Sequence, residues 1–204
     1  WDRLKGFKEL MEAFILMKRE NEKKTDKSSL EYRRIRHSRL ALGGPDPAFV
    51  SDDPEGIEVL NELIEQYKSL SVDLQRSIAL LLLPLDNPKE NALIVNALQR
   101  CATIVVQNSI QEGFGLTATE AMWKKRPVLV SGAAGLRAQV QQDINGKINP
   151  DPANIPELAK SLEEMLSNPL ERDKWGFNGQ VRVINKFTLF SQIKSWLSLL
   201  SSLD

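Results

Sequence analysis

Thr103-Ile-Val-Val106, followed by Ser109-Ile-Gln-Glu-Gly-Phe-Gly-Leu-Thr-Ala-Thr-Glu-Ala-Met-Trp123 and then Pro127-Val-Leu-Val130, is the stretch that decides the fold. The first segment is continuous and β-branched, as a strand covered on both faces should be. A loop leads from it to a helix predicted from about Leu116 to Lys125. Pro127 to Val130 is the next strand, closed by Ser131-Gly132. Strand, helix and strand in that order imply a crossover unit with parallel strands.

Outward from this unit the alternation continues. Upstream, Phe7, Leu10, Met11, Phe14, Ile15 and Met17 mark a helix over 6–20, and Ile57, Leu60, Leu63, Ile64 and Tyr67 mark one from about Pro54 to Leu70. Ile78 to Leu83, stopped by Pro84, predicts a buried strand. Pro88 to Arg100 predicts a helix with Pro in its first turn. Downstream, a short helix near Leu136 to Gln141 precedes Ile144-Asn145-Gly146 and a short strand. The C-terminal part, about 155–204, reads as helices broken near Asn168-Pro169 and Phe177-Asn178-Gly179. The charged segment from Lys18 to Arg39 reads as a solvated surface linker rather than a nucleic-acid patch, because acids are interleaved with its bases. Together these predict a doubly wound α/β domain with a Rossmann-like parallel sheet over residues 1–204.

Composition narrows function by exclusion. Of 204 residues, 27 Lys plus Arg balance 27 Asp plus Glu, so no global field favours nucleic acid or an anionic membrane. The apolar runs are too short to span a bilayer. Cys101 is the single cysteine, which points to a reducing, cytoplasmic setting, and its place after an apolar helix predicts burial. The chain starts at Trp1 without Met, so it is read as a processed chain or a piece of a larger one.

The chemistry is expected in the loop and helix start after Val106, at the carboxyl end of the sheet, where open α/β sheets bind ligands. Gly113 and Gly115 allow close backbone approach, and the N–H groups of Leu116, Thr117 and Ala118 face an anion favoured by the helix dipole. Glu112 and Glu120 bracket this cradle, so a carboxylate is available on each side of a phosphate for hydroxyl groups. That suits a sugar–phosphate–ribose ligand. Gly113-x-Gly115-x-x-Ala118 also spells a degenerate dinucleotide fingerprint. The preceding loop is too long for it, and the next strand ends in Ser131-Gly132 without an acid for an adenosine ribose.

Glu112-x7-Glu120, written EGFGLTATE, resembles the donor-site motif of retaining GT-B glycosyltransferases of family 4, particularly the trehalose synthase and trehalose phosphorylase branch. Trp1-Asp-Arg-Leu-Lys-Gly6, Asp52-Asp-Pro-Glu-Gly56, Val95 to Arg100, Lys124 to Val128 and Asp143 to Gly146 extend the resemblance along the chain. It implies the C-terminal, nucleotide-sugar-binding half of a two-domain enzyme. The first strand of that half and the N-terminal acceptor domain would precede Trp1. Glucose would pass with retention from a donor such as UDP-glucose or ADP-glucose to a sugar acceptor, with no metal and no cofactor. A phosphorylase using glucose 1-phosphate and a non-catalytic nucleotide-binding module are the alternatives.

By the same resemblance, Glu112 hydrogen-bonds the donor sugar and Lys5 neutralises the diphosphate. Glu120 holds the ribose diol, and Gly113, Phe114, Gly115, Leu116 and Thr117 line sugar and diphosphate. Gly44 places backbone near the nucleotide. An Arg that usually partners the Lys would precede Trp1, and Gly135-Leu-Arg137 lacks the acid found elsewhere in the family. The expected partners are the sugar nucleotide, the acceptor and the N-terminal domain, not nucleic acid or membrane. A homodimer, the base and the acceptor are left open. Asp52-Asp53 reads as a helix cap, not a metal pair; His37 reads as a surface residue, and Trp123, Trp175 and Trp196 as packing residues.

Overall fold

The computed structural model describes residues 1–50 and 53–202. Its elements run in chain order as α1 (Phe7–Glu22), α2 (Leu30–His37), β1 (Leu40–Pro45), α3 (Pro54–Lys68), α4 (Val72–Gln75) and β2 (Ile78–Leu83). Then follow α5 (Pro88–Cys101), β3 (Val105–Gln107), α6 (Leu116–Trp123), β4 (Val128–Ser131), α7 (Ala134–Gln139) and β5 (Gly146–Asn149). Three helices close the chain: α8 (Ile155–Ser167), α9 (Pro169–Lys186) and α10 (Leu189–Leu200).

Among the described residues all strand pairing is parallel, in the order β1-β2 in one sheet and β3-β4-β5 in another. One ladder does not run through all five strands; β1 and β3 lie at the ends of separate sheets. β4, at the centre of its sheet, is fully buried over Val128–Ser131, as a strand covered on both faces must be. A continuous core joins the two sheets: Met11, Phe14 and Ile15 of α1 and Leu158 and Met165 of α8 belong to one cluster with Leu42, Ile78 and Leu129. A second cluster gathers Ala118, Ala121 and Met122 of α6 with Val130 of β4 and Leu136 of α7. It holds α6 against the sheet and so fixes the direction of its N-terminus.

Several expectations are corrected. The charged segment contains α2, capped by Ser29, with Tyr32 and Ile35 buried. Two apolar residues three apart suffice for one short amphipathic helix. Lys18 is also buried. Its Nζ donates to the carbonyls of Ile35, Arg36 and Ser38 at 2.8, 2.8 and 3.0 Å, tying off the end of α2. Burial, with Arg39 and Arg36 nearby, lowers its pKa to about 8, so it stays charged at neutral pH. Lys18→Met is expected to cost about 2–3 kcal/mol, because buried carbonyls lose their donor. A melting temperature within a degree of the parent would contradict that.

β2 is an edge strand and only Ile78 is buried, whereas Leu82 is 50% exposed. Cys101, expected to be buried, is exposed. Trp175 packs as expected, and its Nε1 donates to the Asp143 carbonyl at 3.0 Å. Trp123 and Trp196 do not: they are 48% and 58% exposed. α9 runs unbroken through Phe177-Asn178-Gly179. There Gly176 lets the helix approach the Lys125 backbone, where a Cβ would collide, and Gly179 leaves close room for the Met122 side chain. Asp53 caps α3 through Gly56 N at 2.8 Å, as read from sequence; Asp52 lies outside the described residues. His37 is exposed at the end of α2.

Candidate functional site

The site begins with how Lys5 is delivered. Asp2 caps a 3-10 turn over Arg3–Lys5, its Oδ1 accepting from Leu4 N at 2.7 Å. Trp1 is buried beside Phe7, with ring centroids 5.0 Å apart. A Cβ on Gly44 would lie 2.9 Å from the Trp1 ring, so Gly44 is the bare floor on which Trp1 sits. Gly44 lies inside β1, where it packs under Trp1. Arg3 anchors the turn to α3 through Glu62 at 2.8 Å. Ile110 N then donates to Leu4 O at 2.7 Å, which ties the turn to the loop after β3.

Across that tie, Lys5 Nζ meets Glu112 Oε2 at 2.9 Å. These residues are 107 positions apart in sequence. The same Glu112 oxygen accepts from Gln107 Nε2 at 2.8 Å, while Gln107 Oε1 accepts from Ala118 N at 3.2 Å. Gln107 therefore braces the carboxylate against the first turn of α6. Glu112 is partly buried, which works to raise its pKa. Lys5, the Phe114 N–H and Gln107 outweigh burial and hold it below the ordinary 4.5. The ion pair is thus intact at neutral pH and is lost only as pH falls through that lowered value. A carbon-detected titration of the Glu112 carboxyl should give a midpoint below 4.5 and a higher one in Lys5→Met; an unmoved midpoint would contradict the pairing.

The loop leaves the start of α6 open. Gly115, at φ 89°, is the N-cap and offers no side chain to the helix. A Cβ there would strike Leu136, whereas one on Gly113 would meet nothing within 4 Å. Below the loop, Gly135 N donates to Glu112 O at 3.1 Å, and Gly135 lies so close that a Cβ would sit 2.5 Å from the Gly113 carbonyl. That contact explains why position 135 is a glycine. Gln139, fully buried, donates to Phe114 O and accepts from Thr119 Oγ1 at 2.7 Å. Phe114 is exposed on one side and edge-on to Phe187 at 5.8 Å on the other. Of the N–H groups expected to be free, Ala118 N is taken by Gln107 and the Gly115 carbonyl. The open end of the cradle is Leu116 and Thr117, both exposed.

Glu120 lies one turn on, exposed, and joins a different set of partners. Its Oε2 accepts from Gln99 Nε2 at 3.1 Å, and Gln99 Oε1 accepts from Lys124 Nζ at 2.5 Å. The sequence-predicted residues thus divide three ways: Lys5 with Glu112, Glu120 apart on α6, and Gly44 beneath Trp1. Gln107, Gln99, Lys124 and Gln139 were not foreseen as site residues. The one available signal was that Gln99 and Lys124 fall within stretches noted for their resemblance. Among the described residues no group of three His, Cys, Asp or Glu could hold a metal, and no helix is long and apolar enough to cross a membrane.

The site thus combines a parallel α/β sheet, a glycine loop, an uncapped helix start and two flanking carboxylates. Residues 87–182 match the family described as glycosyl transferases group 1. The chain has the fold of a GT-B C-terminal domain. Anabaena HepE, solved in complex with UDP, superposes with a TM-score of 0.68 at 19% identity, covering 98% of this chain and 46% of that one. Over about half of the chain the likeness runs to trehalose synthases. That of Pyrococcus horikoshii is 36% identical over 109 residues, 53% of this chain and 26% of the relative. That of Rubrobacter xylanophilus is 38% identical over 112 residues, 55% of this chain and 26% of the relative. The matched part spans about a quarter of those relatives' length.

Proposed function

We propose that this chain is the donor-binding half of a retaining glucosyltransferase. It binds a nucleotide sugar such as UDP-glucose or ADP-glucose, and an N-terminal domain presents the sugar acceptor. The observation that carries this reading is the Lys5–Glu112 pair, held at 2.9 Å beside the uncapped start of α6. A diphosphate seated on Leu116 and Thr117 N–H groups gains helix-dipole and hydrogen-bond stabilisation. Lys5, 42% exposed at its side chain, can turn from Glu112 to the phosphate oxygens. There it offsets the charge that grows on the leaving nucleotide. Glu112, released, accepts from a hydroxyl of the donor sugar, and Glu120 accepts from the ribose diol.

Likeness to trehalose synthases supports glucose as the sugar. No step uses a metal or a cofactor. This half holds the donor but does not transfer the sugar by itself, since acceptor contacts lie in the other domain; turnover by the chain alone would contradict that. Calorimetric titration with UDP, ADP, GDP, glucose 1-phosphate, phosphate and NAD is the test. Binding of at least one nucleoside diphosphate is expected. Binding of glucose 1-phosphate without any nucleotide would favour a phosphorylase, and NAD alone would overturn the reading.

A further inference from the structure

Gln99 is the one buried residue of α5, at 6% exposure on a helix whose Leu93 is 68% exposed. A helix that buries an amide while exposing a leucine is using that amide. Both ends of it are engaged, and their orientation is fixed by chemistry: an ammonium can only donate and a carboxylate only accept. Lys124 therefore takes the oxygen at 2.5 Å and Glu120 the nitrogen at 3.1 Å. The charge on Lys124 polarises the amide and strengthens its N–H toward Glu120. Among the described residues, Glu120 Oε1 makes no hydrogen bond to protein, while Oε2 is held.

We infer that Gln99, backed by Lys124, is a positioning residue that orients Glu120 so that its remaining oxygen faces the nucleotide ribose diol. The inference rests on the proposed reading of Glu120 as the diol acceptor. An exposed glutamate on a helix samples several rotamers, and fixing one of them opposes binding. Here the protein fixes it before the ligand arrives. The stretches Val95 to Arg100 and Lys124 to Val128 thereby gain one shared role, one supplying the amide and the other the ammonium.

The test measures dissociation constants for UDP, ADP or GDP, whichever binds tightest, and for its 2′,3′-dideoxy analogue. Gln99→Met keeps volume and helix propensity. It should weaken the parent nucleotide about 5- to 10-fold, a loss of the size expected for one hydrogen bond, and leave the dideoxy analogue unchanged. In a Glu120→Ala background it should have no further effect. If Glu120→Ala weakens the parent nucleotide and Gln99→Met does not, the inference fails while the donor-site reading stands. If Gln99→Met weakens both nucleotides equally, Gln99 is merely structural and the inference also fails. If Glu120→Ala is itself without effect, the underlying reading fails. Should Gln99→Met not fold, Lys124→Met, which leaves the amide in place, should weaken the parent about 2- to 3-fold and spare the dideoxy analogue; equal affinity for the parent would overturn the inference.

Discussion

Gly135→Val is expected to cost about 3 kcal/mol, at the upper end for overpacking a close contact, and to lower the melting temperature by about 6–12 °C for a chain of this size. The reason is local. A Cβ at Gly135 would lie 2.5 Å from the carbonyl carbon and oxygen of Gly113 and 2.7 Å from Phe114 N. These are backbone atoms with no flexible end to swing aside. Relief requires the glycine loop to lift, which also breaks the Gly135 N to Glu112 O bond of 3.1 Å. Nucleotide binding should fall with stability in this variant. Gly113→Ala is the informative contrast: nothing lies within 4 Å of the added methyl, so stability should stay within about 0.5 kcal/mol. Affinity should still drop if, as proposed, the ligand enters the open space beside Gly113. Calorimetric melting and nucleotide titration of both variants check this. A large loss of stability in Gly113→Ala would contradict the picture of an open loop.

The second large effect is at Glu120. Glu120→Ala should weaken nucleoside diphosphate binding by about 10- to 100-fold, the equivalent of about 1.5–3 kcal/mol for hydrogen bonds to a charged group. Stability should fall by no more than about 1 kcal/mol, since Glu120 is exposed on α6 and water can take its place at the Gln99 amide. The loss should vanish for a nucleotide lacking both ribose hydroxyls. Unchanged affinity for the parent nucleotide would remove Glu120 from the site.

Much of this was readable from sequence because strong local signals agreed with one another. The β-branched run into β3, the glycine loop and α6 form a single crossover unit whose parallel partner, β4, is marked by its own apolar run. Lys5 and Glu112 are far apart in the chain, and only the context around each suggested a shared site; their contact depends on the Leu4–Ile110 tie, which no periodicity reveals. The misses have separate physical causes. α2 hides within a charged stretch because it buries only Tyr32 and Ile35. α9 passes through Gly176 and Gly179 because close packing on Lys125 and Met122 offsets the weak helix propensity of glycine. Gln107, Gln99 and Gln139 were invisible because an amide carries no hydrophobic period; each acts by joining two polar groups that the fold brings together.

The most direct test of the donor-site assignment is an amide shift map of the 204-residue chain titrated with UDP, ADP and GDP in turn. The account predicts saturable shifts for at least one of them, concentrated at Gly113, Phe114, Gly115, Leu116 and Thr117 and reaching Lys5 and Glu120. Saturable shifts centred elsewhere, or none with any of the three, would contradict it.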